Sequence, residues 1–141
     1  MQNTSTLSDF PRQSYDKLRY ADTDRQGHLN NAVFSTFLET GRVELLYAAD
    51  HRVLEADTSV VIAKLELDFV SELHWPGRVD IGTGVQRIGT SSLTLVQALF
   101  QEQRLVARSQ SVIVQVDDHS GKSRPWTPGA KAILVQFLIT S

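Results

Sequence analysis

The spacing of the apolar residues changes once along this chain, and that change constrains the fold more than any other feature. From Asn30 to about Asp50, apolar side chains recur every three or four residues, which predicts a helix with one broad apolar face. After Asp50 they alternate with a period of two for most of the remaining chain, which predicts strands. One long helix combined with several strands predicts an α+β fold, in which the helix covers one face of a sheet.

The strands are expected to form an antiparallel sheet of five or so members. Short turn-forming segments separate the later strands, and short connections join antiparallel neighbours. A polar loop then precedes a last segment, 130–139, whose pattern fits either a closing helix or a final strand. The predicted strands are 14–20, 63–69, 78–88, 91–100 and 104–117.

Gly41 stands in the middle of the apolar face of the predicted helix. Glycine in a helix interior is about 1 kcal/mol less favourable than alanine. We therefore expect sheet backbone or large side chains to pack very close to the helix at this position. Glu39 and Arg42 are expected to be neighbours on a flank of the same helix.

A sheet this wide cannot be covered completely by one helix, and long strands leave edges that can pair with another chain. Some of the sheet surface is therefore expected to be covered by a second copy of the chain. The protein is predicted to associate with itself.

Length and composition favour one globular domain. The 141 residues suffice for one hydrophobic core; we assign 1–13 to a flexible lead-in and 14–141 to a single domain. The net charge of −2, without a dense Lys/Arg cluster, argues against a nucleic-acid surface. The chain has no cysteine, which excludes disulfides and thiol nucleophiles and favours a cytoplasmic location. No signal peptide or membrane-spanning stretch is recognisable, so no membrane partner is expected.

Candidate chemistry is concentrated where an acidic loop meets the start of the long helix. Asp22, Asp24 and His28 fall within seven residues, and Asn30 and Asn31 follow where the helical pattern begins. Either asparagine is suited to cap the helix. The first N–H groups of a helix lack intrahelical partners and carry about half a positive charge. Such a junction can bind and polarise a carbonyl group.

The order of strand, acidic loop, helix and four-strand meander, together with the motif D-T-D-x-x-G-H-x-N-N, resembles the hotdog fold. More narrowly, the chain is similar to the acyl-CoA thioesterases typified by 4-hydroxybenzoyl-CoA thioesterase. The similarity extends over about 14–128 and is most specific in 20–39. It implies a sheet wrapped around the helix, subunits that join their sheets as homodimers, dimers that often pair into homotetramers, and an active site at the dimer interface.

The resemblance also implies roles for five residues. Asp24, the second acid of the D-x-D pair, matches the family's catalytic aspartate, which acts as a general base or as a nucleophile. The surrounding turn and helix start enclose the thioester. Residues assigned to substrate binding on this ground are Gly27, His28, Asn30 and Asn31. Because branches of the family differ at the last three positions, the helix-start backbone is the better-supported part of the assignment. Glu39 matches an acidic position of many relatives, without an assigned role.

Other interpretations compete with these assignments. Asp22 is interpreted as structural, and His28 as a residue that orients water or substrate or hydrogen-bonds Asp24. A metal site built from Asp22, Asp24 and His28 lacks a third strong ligand at suitable spacing, so no metal is expected there. No cofactor is expected either, since coenzyme A is part of the substrate. Basic residues that could reach its phosphates are Arg87, Arg108, Lys122 and Arg124.

The leading functional hypothesis is hydrolysis of acyl-CoA to a free acid and coenzyme A. One alternative is hydrolysis of acyl groups carried by acyl carrier protein, which a positive patch near the site would favour. Another is a non-catalytic protein that binds acyl-CoA. Hotdog dehydratases are disfavoured because their His-containing motif is absent. The acyl group itself cannot be read from the sequence.

Overall fold

The structure, a computed structural model, describes residues 5–24, 27–48 and 52–139. It contains five strands, two α-helices and two short 3-10 turns, the latter at Leu7–Asp9 and Tyr20–Asp22. The strands are β1 (Arg12–Lys17), β2 (Thr58–Phe69), β3 (Arg78–Ile88), β4 (Ser92–Gln101) and β5 (Arg104–Asp117). The helices are α1 (Asn31–Tyr47) and α2 (Pro128–Val135).

All five strands form one antiparallel sheet in the order β1-β3-β4-β5-β2. Helix α1 packs across β1, β3 and β4. The predicted α+β architecture, with one long helix on a five-stranded antiparallel sheet, is therefore confirmed, and the hotdog fold implied by the resemblance is the fold of this chain. Strands β1 and β2, which are remote from each other in the sheet, form its two edges.

Helix α1 begins where the sequence predicts. The Asn30 side-chain oxygen accepts a hydrogen bond from the Ala32 N–H at 3.0 Å, which satisfies one of the free donors of the first turn. The apolar face predicted from the spacing is buried, and the predicted end near Asp50 lies outside the described residues. The buried residues of α1 are Phe34, Phe37, Leu38, Gly41, Arg42, Leu45 and Leu46.

The close approach expected at Gly41 is confirmed. A Cβ atom at this position would lie 2.6 Å from Thr83 Oγ1 and 2.8 Å from Ile81 Cγ2, both on β3. The buried Gln97 of β4 completes the contact, because its Nε2 donates to the Leu38 carbonyl and to Thr83 Oγ1, each at 3.0 Å. The helix is thus held against the sheet by hydrogen bonds at the point of closest packing.

Glu39 lies close enough to Arg42 to influence its charge, as predicted, but Arg42 itself belongs to the buried face of α1 rather than to its flank. Its side chain is buried under α1, where the guanidinium donates to Gln97 Oε1 at 3.4 Å. Burial lowers the pKa of Arg42, and the nearby charge of Glu39 partly opposes that effect. The spacing along the helix predicts Arg42 at the border of the apolar face. Its burial is possible because the polar side chain of Gln97 lies beneath the helix and accepts a hydrogen bond from Arg42.

The first strand begins and ends earlier than predicted. Strand β1 covers Arg12–Lys17 rather than 14–20, and Tyr20 belongs to a 3-10 turn. Tyr15 is 63% exposed, and its ring faces the Arg78 guanidinium at 4.6 Å. The expected lead-in carries Phe10, which is buried against Phe100 with 6.3 Å between ring centroids.

The final segment forms a helix rather than a strand. The Thr127 side chain accepts a hydrogen bond from the Ala130 N–H at 3.0 Å and so caps α2. Leu134 is fully buried in a cluster that includes Leu45 and Leu46 of α1. Neither helix in the described part of the chain is long and apolar enough to cross a lipid bilayer.

Strand β2 begins at Thr58, five residues before the predicted strand 63–69, and its expected apolar face is not buried within one chain. Leu65 is 38% exposed and Phe69 is 50% exposed, and most other positions of the strand are exposed on both faces. The reason is its place in the sheet, because β2 is an edge strand and the helix packs mainly over β1, β3 and β4. Apolar surface is therefore left uncovered along this edge.

The β4–β5 hairpin closes with a two-residue turn in which Glu102 and Gln103 both have positive φ, at 50° and 69°. A turn of this kind matches the right-handed twist of the flanking strands. It places Gln101 directly opposite Arg104. The hairpin therefore fixes the relative positions of two polar side chains that reach the candidate site.

We expect Gly41→Ala to destabilise the protein by about 2 kcal/mol. An added methyl group in a tightly packed core destabilises a protein by up to about 3 kcal/mol. Alanine is about 1 kcal/mol more favourable than glycine in a helix, which offsets part of that cost. Urea unfolding measures the difference. Ser35→Ala, at an exposed position of the same helix, is the matched control and should be neutral or slightly stabilising. Equal or greater stability of Gly41→Ala would contradict the close packing.

Candidate active site

A cleft of about 380 Å³ opens where the loop before α1 meets the segment that follows β2. It has an apolar floor and a rim that carries carboxylate, imidazole and amide groups. The residues that line it are Asp24, His28, Leu29, Asn31, Phe34, Phe69, Val70, Ser71, Glu72 and Leu73. Three of the five residues predicted for the site thus line one cleft.

Asp24 is exposed at this cleft, and its backbone is fixed by the loop. The Asp24 N–H donates to the His28 carbonyl at 2.7 Å, and Asp24 Oδ1 accepts from the His28 N–H at 3.2 Å. Gly27 donates its N–H to the Asp24 carbonyl at 3.2 Å and has a φ of +80°, a conformation that glycine adopts without strain. Gly27 therefore shapes the turn that presents Asp24 but does not line the cleft.

Asn31, the first residue of α1, lines the same cleft, and its backbone N–H is one of the helix-start donors. The Ala32 N–H is bonded to the Asn30 side chain and the Val33 N–H to the Asn30 carbonyl. Within the described residues the Asn31 N–H has no such partner, and Asn31 lines the cleft. Asn30 is thus the helix cap.

Asp22 has a structural position, as interpreted from the sequence. Its carboxylate is nearly buried and accepts two hydrogen bonds from Arg19, at 2.8 and 3.0 Å. Its carbonyl accepts from the Asn30 N–H at 2.8 Å, which links the acidic loop to the helix cap. The hydrogen bond from Arg19 lowers the pKa of Asp22, and burial opposes that shift.

The imidazole of His28 lies against Glu72 and His74, so the expected side-chain hydrogen bond to Asp24 is not formed, whereas the expected contact with water or substrate stays a prediction. His28 contacts the Asp24 carboxylate through its backbone N–H. Its Nε2 lies 3.3 Å from Glu72 Oε2, and His74 Nε2 lies 3.5 Å from the same oxygen. The two imidazole rings meet edge to face with 5.0 Å between centroids. A His-Glu-His cluster therefore stands at the rim of the cleft, next to Asp24.

The far wall of the cleft, residues 71–74, is held by the β4–β5 hairpin. The buried Gln101 donates to the His74 carbonyl at 2.7 Å and accepts from the His74 N–H at 3.1 Å. Arg104 donates to the Glu72 carbonyl at 2.7 Å and to Ser71 Oγ at 2.6 Å. This wall follows a fixed backbone path.

Sequence reasoning missed the residues on this wall. Glu72 and Phe69 are about forty positions from the acidic loop, and the distance between two segments in space is not visible from spacing along the chain. One signal was available, since Glu72, Leu73 and His74 continue the alternation of β2 and put both polar side chains on one side. Leu73 is buried and its carbonyl accepts from the Leu29 N–H at 2.9 Å, which joins the two walls.

The basic residues considered for phosphate binding do not line this cleft. Arg124 pairs with Glu55 and lies 3.5 Å from Asp117. Arg108 lines a second cleft of about 280 Å³ beside Glu66 and Asp68. Arg87 and Lys122 are exposed.

The arrangement can carry out acyl transfer to water. A carboxylate that is exposed in a cleft can take a proton from water or attack a carbonyl carbon. A backbone N–H at the start of a helix can donate to an oxygen that gains negative charge. Both groups come from one continuous segment whose turn and helix cap are hydrogen-bonded, so their relative positions are set before a substrate enters.

Residues 18–134 match the family model described as the thioesterase-like superfamily. Among known proteins, the uncharacterized protein YsmA of Bacillus subtilis (strain 168) is 27% identical over 119 residues, which covers 84% of this chain and 81% of that protein.

Solved structures share the fold. The PA5185 protein from Pseudomonas aeruginosa strain PAO1 superposes with a TM-score of 0.86 at 22% identity, over 96% of this chain and 97% of that one. A thioesterase from Thermus thermophilus, complexed with coenzyme A and Zn, gives a TM-score of 0.78 at 23% identity, over 91% of this chain and 95% of that one.

We expect the Tm of Asp22→Asn to fall less than that of the wild type as the pH is lowered from 6 to 3. Because the folded-state pKa of Asp22 is lowered, its contribution is fully present above the unfolded value of about 3.9 and is lost as pH falls toward the folded value. Thermal unfolding from pH 6 down to pH 3 measures this difference. The variant should have a lower Tm at pH 6 and approach wild type at pH 3. Parallel Tm curves for the two proteins would contradict the role of the Arg19–Asp22 pair.

Proposed function

The chain belongs to the thioesterase-like superfamily, and we propose that it hydrolyses acyl-CoA to a free carboxylic acid and coenzyme A. The observation that carries the proposal is the common position of Asp24 and Asn31, which line one cleft at the start of α1. A carboxylate and a helix-start donor are the two groups that thioester hydrolysis requires.

In the first of two possible routes, Asp24 acts as a general base. It accepts a proton from water while the water oxygen bonds to the thioester carbon. The carbon–sulfur bond then breaks, and the proton held by Asp24 passes to the sulfur, so that the thiol leaves and the carboxylate is regenerated. In the second, the Asp24 carboxylate attacks the same carbon, expels the thiol and leaves an anhydride that water hydrolyses. Both routes consume one water and need neither a redox cofactor nor a metal ion.

The start of α1 stabilises the charge that develops on the carbonyl oxygen in either route. The Asn31 N–H points out of the first turn, where the helix dipole adds to its positive character. Removal of one such donor in other enzymes costs about 2.7–4 kcal/mol in the transition state. The donor belongs to the backbone, so it is retained when the Asn31 side chain is replaced. A substitution at Asn31 is therefore expected to change how the substrate fits more than it changes the stabilisation of the carbonyl oxygen.

Gly27 and His28 support the reaction through their backbones, and Asn30 supports it through its capping side chain. Gly27 forms the turn, and His28 donates its N–H to the Asp24 carboxylate. Asn30 caps the helix that supplies the oxyanion donor. Substrate contact is assigned to Asn31 and to the imidazole of His28, which line the cleft.

Coenzyme A is favoured as the carrier because a solved structure of the same fold is a thioesterase complexed with it. The alternative carrier, an acidic acyl carrier protein, would favour a positive entrance. The described lining instead has two carboxylates, Asp24 and Glu72, and no lysine or arginine. Nothing in the cleft therefore favours the carrier protein. The cytoplasmic location stays a prediction that rests on the absence of cysteine.

Self-association is part of the proposal. Strand β2 lies at an edge of the sheet with apolar side chains exposed on both faces. Val61 and Ile62 are each 48% exposed, and Phe69, which lines the cleft, is 50% exposed. A second copy placed along β2 would cover this surface and complete the outer wall of the cleft. The assembly is then a homodimer, which can pair further into a tetramer.

We expect Asp24→Asn to lower kcat for acyl-CoA hydrolysis at least ~100-fold, comparable to the loss of one general base. Release of free thiol from a panel of acyl-CoAs measures the rate. Asp57→Asn, an exposed aspartate outside the cleft, is the control and should retain wild-type kcat. Undiminished hydrolysis by folded Asp24→Asn would remove Asp24 from the mechanism. Protection from thermal unfolding by acyl-CoA without thiol release by wild type would favour a binding protein instead.

We expect Ile62→Lys to raise the dissociation constant of the dimer at least ~10-fold, because the new charge would have to be buried at the proposed interface. Analytical ultracentrifugation over a concentration series measures it. Val135→Lys, at a 54% exposed position of α2, is the matched control and should leave the assembly unchanged. A wild-type protein that is monomeric at micromolar concentration would contradict the proposed interface.

A further inference from the structure

We propose that His28, Glu72 and His74 form a binding site for Zn²⁺ that joins the two walls of the cleft. Their candidate ligand atoms all lie within 4.8 Å of one another. The site is distinct from the trio Asp22, Asp24 and His28 considered from the sequence, because the additional ligands come from the opposite wall.

The distances within the cluster suit a tetrahedral ion. Zn²⁺ bonds imidazole nitrogen and carboxylate oxygen at about 2.0–2.2 Å, so neighbouring ligand atoms in a tetrahedron lie about 3.3–3.6 Å apart. Glu72 Oε2 lies 3.3 Å from His28 Nε2 and 3.5 Å from His74 Nε2. Two of the three separations therefore already match the bound geometry.

The three ligands stand on backbone that is held in place. Both backbone groups of His28 bond to Asp24, and both backbone groups of His74 bond to the side chain of Gln101. The Glu72 carbonyl accepts from Arg104. Binding an ion therefore requires ordering only of side chains, which lowers the entropic cost of assembling the site.

The ligand set selects the kind of ion. Two imidazoles favour Zn²⁺ and related transition metals over Mg²⁺ or Ca²⁺, which prefer oxygen ligands. Two neutral imidazoles and one carboxylate supply three protein ligands, the number found in zinc sites that keep a fourth position open. That position faces the solvent at the cleft rim, since the side chains of His74 and Glu72 are 51% and 61% exposed.

The ion would cross-link the two walls of the cleft. His28 belongs to the loop that presents Asp24, whereas Glu72 and His74 belong to the wall that follows β2. Within the protein these segments are joined at this point by the β-bridge His28↔His74 and by the Leu29 N–H to Leu73 carbonyl bond beside it. Coordination adds three bonds across the same junction and should raise the Tm of the folded protein.

The test is titration of Zn²⁺ into untagged, chelator-treated protein without any thioester, followed by calorimetry and by Tm. We expect one Zn²⁺ per chain and a higher Tm for wild type, and a dissociation constant at least ~10-fold larger for His74→Ala and for Glu72→Gln. His119→Ala, an exposed histidine outside the cluster, is the control and should bind like wild type. Substituted Co²⁺ should show the visible absorption of a tetrahedral site with nitrogen ligands.

Absence of Zn²⁺ binding by wild type, or equal affinity in wild type and His74→Ala, would overturn the proposal. A larger dissociation constant for His119→Ala than for His74→Ala would place the ion elsewhere and would also overturn it. The readouts contain no substrate, so either result leaves the proposed hydrolysis untouched. Conversely, loss of activity in Asp24→Asn says nothing about the metal site.

Discussion

The fold depends on the contact between the middle of α1 and the sheet. Gly41 lets the helix approach β3 so closely that a side chain there would collide with Thr83 and Ile81. Gln97 then bonds to a helix carbonyl and to Thr83 within the buried layer. This contact fixes how the helix lies on the sheet, and therefore where its first turn emerges. The helix-start donor of the candidate site has its position for that reason.

The candidate site divides into a part that the sequence predicted and a part that it could not. Asp24, His28 and Asn31 were predicted together because they follow one another through a turn into a helix cap, and local chemistry determines such a segment. Glu72 and His74 were missed because they join the site through strand order, which periodicity does not reveal. The orientation of the His28 imidazole was missed for the same reason, since its neighbours belong to the other wall.

The strands and helices were likewise predicted correctly where local sequence determines them and incorrectly where distant residues do. The alternation in β3 and β5 and the spacing in α1 predicted the correct elements, because each of these elements is packed against other parts of the same chain. Strand β2 has the same alternation but is exposed, because it is an edge strand and α1 packs over β1, β3 and β4. Arg42 shows the opposite case, in which a charged residue is buried because a polar side chain from the sheet meets it. That partner, Gln97, is 55 positions away in sequence.

The two-residue turn of the β4–β5 hairpin has a consequence for how this protein can change over evolutionary time. Strand residues alternate between faces, so one inserted residue near Glu102 would rotate Gln101 or Arg104 to the opposite side of the sheet. The carbonyl and N–H groups of 72–74 would then lose their donors and acceptor. A longer turn would therefore disturb a cleft that the turn itself does not line, unless other contacts held residues 72–74 in place.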